Sequence, residues 1–533
     1  MRKQSEILSE INEISTQENF LDVLFILCHK NLNCYSDELA TRDLKKVLNE
    51  NEITFLFGLW LKNLNIRKSN SISKEDSAKI LHTLMDEFHI SFLPSFNPNA
   101  DLSYYKNTVN NPEIIKETIF YAGTGAYDYQ YCNFLISKYQ YDKNWLYQKK
   151  KIKLNDAINL FNYIKTIIGY KLNLKKFNDL SELYSFDINN YVFKRHPSFL
   201  TILDLLSFKR TDCLNQDFNN VGDLNEFKFK PILKTENKYF IPLPYLVSEA
   251  IYESPFYWML EDTEYKNIAL KNRGEAAEQI VKEILIKKID KDCVFKGVNI
   301  KISKEKTLSD IDICVKHKSK MLVFQVKSKR LTQLSKKGNL EQFQIDFKQS
   351  VTDAYQQTVI AENAIRAKKY LLIEKETNKS IDYKDIDEVF SICVILDNYA
   401  SITTHTRMFF YEANHEMPIT ISIFDLEVII NYVSDFDMLF DYFKKRTIHS
   451  KYFVADNELC YFSNYLKIGL NKNPSYDISA LDPDFAQYFD SDFYLPLMKR
   501  YQSNVEILIK DIGRNDYCFC GSGKKFKNCC NNG

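Results

Sequence analysis

The sequence predicts a multidomain protein: a helical first part, an α/β core built on a mixed sheet, and a small cysteine-rich tail. Three observations carry this. At 533 residues the chain exceeds what one core accommodates and points to about three units. Its middle passes from helix-period to strand-period patterning and back, in the order helix, three strands, helix, strand. Of the twelve cysteines, the last four fall between positions 518 and 530, while the others sit singly.

From the N-terminus to about residue 222 the apolar residues of "FLDVLFILCHKNL", "ITFLFGLWLKNL" and "AINLFNYIKTIIGYKL" recur at steps of three and four, so residues 1–222 read as mainly helical. "YYKNTVNNPE" (Tyr104–Glu113) reads as an exposed loop. Residues 223–264 read as a hairpin and connector, with "FKFKPILKTENKYFIPL" forming two strands around a polar Thr235–Lys238 turn. The tyrosines and phenylalanines of the helices read as core rather than as a base-stacking platform.

The core spans residues 265–430. An amphipathic helix from Tyr265 to Ile289 leads into strands "VFKGVNIKI", "DIDICVK" and "MLVFQVK", then a polar connector "LTQLSKKGN". A second helix runs from Glu341 to Ala367, followed by strands "EVFSICVIL", "FFYEA" and "ITISIF". "FDLEVIINYVSDFDMLFDYFKKR" returns to helix, residues 431–510 read as a helical C-terminal region, and 511–533 as a separate miniature.

Lys+Arg 71 against Asp+Glu 70 leaves no global field that would draw the chain onto nucleic acid. A local one exists: residues 301–350 hold 12 Lys/Arg against 5 Asp/Glu. No apolar run of about 18 residues and no basic leader is visible, so no membrane span or secretory signal is expected. The scattered cysteines in apolar context fit reduced thiols in a cytoplasmic protein.

One group of residues carries chemistry. Asp312 lies on the first strand of a hairpin, and Gln325 and Lys327 close the second. Residues two apart on a strand share a face, so a carboxylate, an amide oxygen and an ammonium converge at one sheet edge. Hard divalent ions take oxygen ligands, and phosphodiester hydrolysis needs such an ion together with a group that orients water. The helix offers a further acid. With Ala277, Ile280, Val281, Ile284 and Leu285 as its buried stripe, a step of about 100° per residue places Glu278 at the border and Glu275 near the back. Glu278 is the preferred ligand, with Glu275 in reserve. His317, at the hairpin tip, has no ligand partner at metal spacing and reads as a turn residue. Lys329, Arg330, Lys336 and Lys337 are candidates for phosphate contacts, and Lys348 and Gln356 for the cleft.

The helix "GEAAEQIVKEIL", the strand opening "SDID" and "FQVKSK" together resemble the PD-(D/E)XK nuclease superfamily, and within it the Mrr-like branch with Gln in place of the motif acid. The resemblance covers roughly residues 270–400 and implies a restriction-endonuclease-like core. It also implies Mg²⁺ or Mn²⁺ held by Glu278, Asp312 and Gln325, with Lys327 positioning the attacking water. The thirteen-residue step from Asp312 to Gln325 fits the family better than a count from Asp310, which stays as the alternative acid. By analogy the substrate is DNA rather than RNA, and the role an antiviral defence against foreign DNA. The other reading is a non-catalytic module that binds nucleic acid or protein on a nuclease fold.

The tail "RNDYCFCGSGKKFKNCC" places Cys518, Cys520, Cys529 and Cys530 in a Cys–x–Cys–x8–Cys–Cys pattern. Four thiolates suit a closed tetrahedral Zn²⁺ site, and a piece this short is expected to owe its fold to a metal bound with on the order of 10 kcal/mol. It resembles the SEC-C motif, which implies structural zinc and contacts with protein or nucleic acid. A protein partner is expected through this tail or the helical N-terminal region.

Overall fold

A computed structural model describes residues 2–32, 43, 46–66, 68–69, 72–92, 111–121, 125–173, 177, 179–397, 399, 402–404, 419–455, 457–471, 479–482 and 487–532. The loop expected from Tyr104 lies outside them as far as position 110, and so does the "FFYEA" strand. Within that loop's last residues, Asn111 caps a helix (Pro112–Phe120) by accepting from the Glu113 N–H. The chain is multidomain. It divides into two compact units, each discontinuous in sequence: residues 1–94, 128–269 and 489–533, and residues 95–127 with 270–488.

The first unit is mainly helical. Helices Gln4–Ser15, Phe20–Asn31, Glu50–Lys62 and Lys74–Phe92 pack on one another. Phe20–Asn31 buries Phe20, Val23, Leu24, Phe25, Ile26 and Leu27 together, so it is enclosed rather than amphipathic. A further helix, α1 (Leu154–Asn173), buries Leu160, Phe161, Ile164 and Ile167 along one stripe. Two short strands interrupt the helical stretch, β1 (Ser185–Asp187) and β2 (Ser207–Phe208). They join β3 (Ile232–Lys234) and β4 (Lys238–Phe240) in a four-stranded sheet of order β1-β4-β3-β2. β3 and β4 pair antiparallel, closed by the Thr235 N–H donating to the Lys238 carbonyl at 2.8 Å. The connector expected beyond them is a helix, Pro244–Leu260.

The second unit is built on a mixed seven-stranded sheet of order β11 (Ile419–Ser422), β10 (Glu388–Ile395), β7 (Lys320–Lys327), β6 (Thr307–His317), β5 (Val294–Lys301), β8 (Leu371–Glu374), β9 (Ser380–Ile381). Helix α2 (Lys266–Leu285) precedes β5 (Val294–Lys301), β6 (Thr307–His317) and β7 (Lys320–Lys327), which pair antiparallel in sequence order. The expected connector contains a short helix, Gln333–Lys336. The expected single helix is α3 (Leu340–Phe347), a π-turn (Lys348–Thr352) and α4 (Asp353–Ala367). α4 packs on β6, β7 and β10, where Ala361, Ala364 and Ile365 meet Cys314, Met321 and Val323.

Two strands of this sheet were not anticipated, β8 (Leu371–Glu374) and β9 (Ser380–Ile381). They extend the sheet beyond β5. β8 is only four residues long, and its Leu371 is 48% exposed, so it carries no clear period-2 signal. β10 (Glu388–Ile395) pairs parallel to β7 along its whole length, and β11 (Ile419–Ser422) pairs parallel to β10. β7 is therefore central, which explains why Met321 to Val326 are all buried. The long helix expected after β11 is two, α5 (Ile423–Tyr432) and α6 (Phe436–His449), separated by extended backbone at Val433. Ser422 caps α5 in a reciprocal capping box with Asp425.

Candidate functional site

The β6–β7 ladder ends at the pair Ile313–Phe324. One step further the register sets Asp312 across from Gln325, but backbone pairing has stopped. The Val326 N–H donates to a carboxylate oxygen of Asp312 at 2.7 Å instead. The strands part here because a side chain has replaced the backbone acceptor. Asp312, Gln325 and Lys327 occupy one face of the opening.

Gln325 is fully buried. Its Nε2 donates to the Asp310 carbonyl at 2.8 Å, while its Oε1 is buried with no hydrogen-bond partner. A buried acceptor left unpaired costs about 1–3 kcal/mol, and a cation would satisfy it. Lys327, at the strand end, donates through Nζ to Oε1 of Gln357 on α4 at 2.6 Å. Burial pushes the Glu278 carboxyl up to about 7, helped by the charge of Asp312 and opposed by Lys296. Burial likewise raises Asp312, against the Val326 N–H and the Lys327 ammonium. Two carboxyls lifted by burial, one of them also by the charge of the other, stand with an orphaned amide oxygen as an electrostatically unsatisfied group.

The remaining sequence candidates divide. Asp310 forms an ion pair with Lys375 at 2.8 Å, and Glu275 is half-exposed and paired with Lys296. Lys329 and Arg330 do not offer themselves to a phosphate: Lys329 lies 3.4 Å from the buried Asp346, and Arg330 lies 3.2 Å from Asp397. The connector is held from both sides. Arg273 of α2 donates to the Ser328 carbonyl at 3.1 Å and pairs with Asp397, and the Tyr399 hydroxyl donates to the Lys329 carbonyl at 2.6 Å. Gln356 is exposed and its neighbour Gln357 is the residue that reaches the site; Lys348 is exposed and pairs with Asp353. His317 ends β6 beside a Lys318 in the left-handed region (φ 53°) and packs on the Phe436 ring.

Lys375 was not anticipated. It sits in the turn after β8, and its backbone N–H donates to the Gly297 carbonyl at 2.7 Å. Gly297 has φ +65°, and a Cβ there would lie 3.3 Å from Lys375 Cδ. The missing side chain lets Lys375 cross β5 to Asp310, within electrostatic reach of Asp312 and Glu278. No sequence signal marks it, because the β8–β9 pair that presents it was itself not legible.

The cysteine tail has a different geometry. The sulfur atoms of Cys518, Cys520, Cys529 and Cys530 all lie within 4.8 Å of one another; among the described residues this is the only cluster of three or more His, Cys, Asp or Glu ligands so arranged. Cys520 and Cys529 are 3.5 Å apart, Cys529 and Cys530 3.9 Å. Four sulfurs about 2.3 Å from a zinc ion stand about 3.8 Å apart, so the cluster fits structural zinc. Mutual contact and burial drive Cys518 and Cys530 up and hold Cys520 and Cys529 down, the pattern of thiols that cannot all ionise without a cation.

The tail is not a separate miniature. The Tyr163 hydroxyl of α1 donates to the Phe519 carbonyl at 2.6 Å, and the Asp187 N–H of β1 donates to the Gly521 carbonyl at 2.9 Å. Gly521 has φ +77°, and a Cβ there would stand 2.8 Å from Phe186 Cα. Lys171 of α1 is buried nearby, held by the carbonyls of Glu182 and Ser185 at 2.9 and 2.8 Å. Burial lowers it to about 8, while Cys520, Cys530 and Cys529 act to keep it charged. It is a cation within reach of an anionic cluster.

Residues 514–532 match the model of the SEC-C motif. No curated protein and no solved structure matches the chain. Among the described residues no helix is long and apolar enough to cross a membrane.

Proposed function

We propose that the second unit is a restriction-endonuclease-like, Mrr-type PD-(D/E)XK domain and that the chain is a metal-dependent nuclease cleaving phosphodiester bonds, in DNA rather than RNA, in defence against foreign DNA. The observation that supports it is the Oε1 of Gln325, buried without a partner on the face shared by Asp312 and Lys327. Glu278, Asp312 and Gln325 would hold Mg²⁺ or Mn²⁺; such an ion, when bound, supplies a Lewis acid and a more acidic bound water. Asp312 also fixes the strand end through Val326, so its carboxylate is oriented before any ligand arrives. Gln357 holds the Lys327 ammonium in place, leaving its other protons for a water or a phosphoryl oxygen. Lys327→Ala is expected to lower metal-dependent cleavage by at least about 10²-fold with the fold intact. Linear, circular, modified and single-stranded substrates, each in Mg²⁺ and in Mn²⁺, form the assay. Equal cleavage by the variant refutes the assignment.

One observation favours the non-catalytic alternative. Among the described residues Glu278 and Asp312 gain no third carboxylate within ligand distance of both, and one oxygen of Asp312 is already engaged. Calorimetric titration of the zinc-loaded chain with Mn²⁺ separates the readings: heat of binding lost in Asp312→Asn supports the nuclease, and no binding supports a recognition module.

A further inference from the structure

Between Lys143 and Lys153 the sequence "KNWLYQKKKIK" holds five lysines and no acid, in a chain whose net charge is +1. The helical turn Lys143–Trp145 runs into a π-turn, Leu146–Lys150, and the chain reverses at Lys151 in the left-handed region (φ 59°). A π-turn and a left-handed lysine are both uncommon and each costs energy. The apolar residues explain the inward half: Trp145, Leu146 and Ile152 are buried, and the Trp145 Nε1 donates to Asp262 at 2.9 Å. The outward half is left cationic. Tyr147, Lys149, Lys151 and Lys153 are exposed.

Most of these ammoniums are not neutralised by a carboxylate among the described residues. Among the described residues, Lys149 alone of the five has a carboxylate within ion-pair distance, Asp262 at 3.8 Å. Lys150 lies over the Trp258 ring at 5.5 Å, and Lys151 and Lys153 over the Tyr147 ring at 5.9 and 5.8 Å. Lys151 and Lys153 thus share one aromatic ring, and Lys150 lies on another. Tyr147 is 52% exposed, so aromatic surface stands within the basic cluster. Cationic side chains tracking a backbone, with aromatic faces for unstacked bases, are the chemistry that retains single strands.

We infer that the Lys143–Lys153 turn, with Tyr147, is a binding site for single-stranded nucleic acid. The turn belongs to the first unit, whereas Asp312 and Lys327 belong to the second, and the inference does not require hydrolysis. A single strand is favoured over a duplex because a duplex leaves Tyr147 no free base face.

The test is fluorescence anisotropy of the full chain with an oligothymidylate of roughly 20 nucleotides, without added Mg²⁺ or Mn²⁺, over a salt series. Replacing Lys149, Lys150, Lys151 and Lys153 together by Ala is expected to weaken binding at least about tenfold and to reduce the salt slope by about 3. The same four changed to Arg retain binding. Tyr147→Ala weakens the single strand by about tenfold and leaves a duplex of equal length unaffected. Tyr147, Lys149, Lys151 and Lys153 are exposed and Lys150 is half-buried, and an unchanged melting temperature verifies that the variants fold. Unchanged affinity and slope in the fourfold Ala variant overturn the inference, as does equal competition by polyglutamate or tighter binding of the duplex. A chain that binds through this turn but cleaves nothing refutes the proposed hydrolysis alone.

Discussion

Glu52 shows what burial does to one side chain. It stands in the first turn of Glu50–Lys62, 5% exposed, with the Asn49 N–H donating to it at 2.8 Å. Burial outweighs that hydrogen bond and pushes its carboxyl up to about 7. The folded chain therefore binds a proton that the unfolded chain has released, and stability falls as pH rises from about 4.5 to about 7. Glu52→Gln keeps an acceptor for Asn49 and is expected to remove on the order of 3 kcal/mol of that fall; urea unfolding at several pH values measures it. The opposite choice appears at Gln325, where an amide occupies a fully buried strand position that a carboxylate would occupy at a far greater desolvation cost. Gln325→Glu is expected to tighten Mn²⁺ binding by about tenfold through the added charge, at some loss of stability without metal. Calorimetry and thermal melting report the two effects separately.

At the scale of elements, strand separation organises the candidate site. β6 and β7 pair through Ile313–Phe324 and then part, so Asp312 faces an opening rather than a ladder. Residues far apart in sequence hold this opening: Gln357 of α4 takes Lys327, and Arg273 of α2 takes the Ser328 carbonyl. The tail depends on an equally specific approach, since the Gly521 carbonyl must reach Asp187 of β1. Gly521→Ala introduces a Cβ against the Phe186 backbone at a positive φ. It is expected to weaken tail docking by roughly 1–3 kcal/mol. Faster proteolysis within 513–530 and easier loss of zinc to a chelator are the readouts, with the exposed Asn528→Ala as control.

At the scale of the whole chain, long-range contacts decide which segments form a unit. The Tyr163–Phe519 hydrogen bond joins residues 356 apart in sequence, so the last segment completes the first unit rather than trailing from the second. Zinc is then coupled to more than its own loop. Metal analysis is expected to find about one zinc per chain. Removing it leaves a buried cluster of thiols beside Lys171 and is expected to lower the melting temperature of the first unit and loosen residues 513–530. An unaltered melting curve after complete zinc removal contradicts this coupling.

Local chemistry made much of this protein legible from its sequence. Strands β5, β6, β7 and β10, the amphipathic α2, and the cysteine spacing are all readable because side-chain period and ligand type belong to a few consecutive residues. The order Glu278, Asp312, Gln325, Lys327 was readable for the same reason. Tertiary structure alone decided that Lys329 and Arg330 are spent on Asp346 and Asp397, that Gln357 rather than Gln356 supports Lys327, that Lys375 reaches Asp310, and that the tail rests on β1. Each of those outcomes depends on which distant segment arrives opposite a given side chain. Burial and pairing are set by that encounter, and no local pattern encodes it.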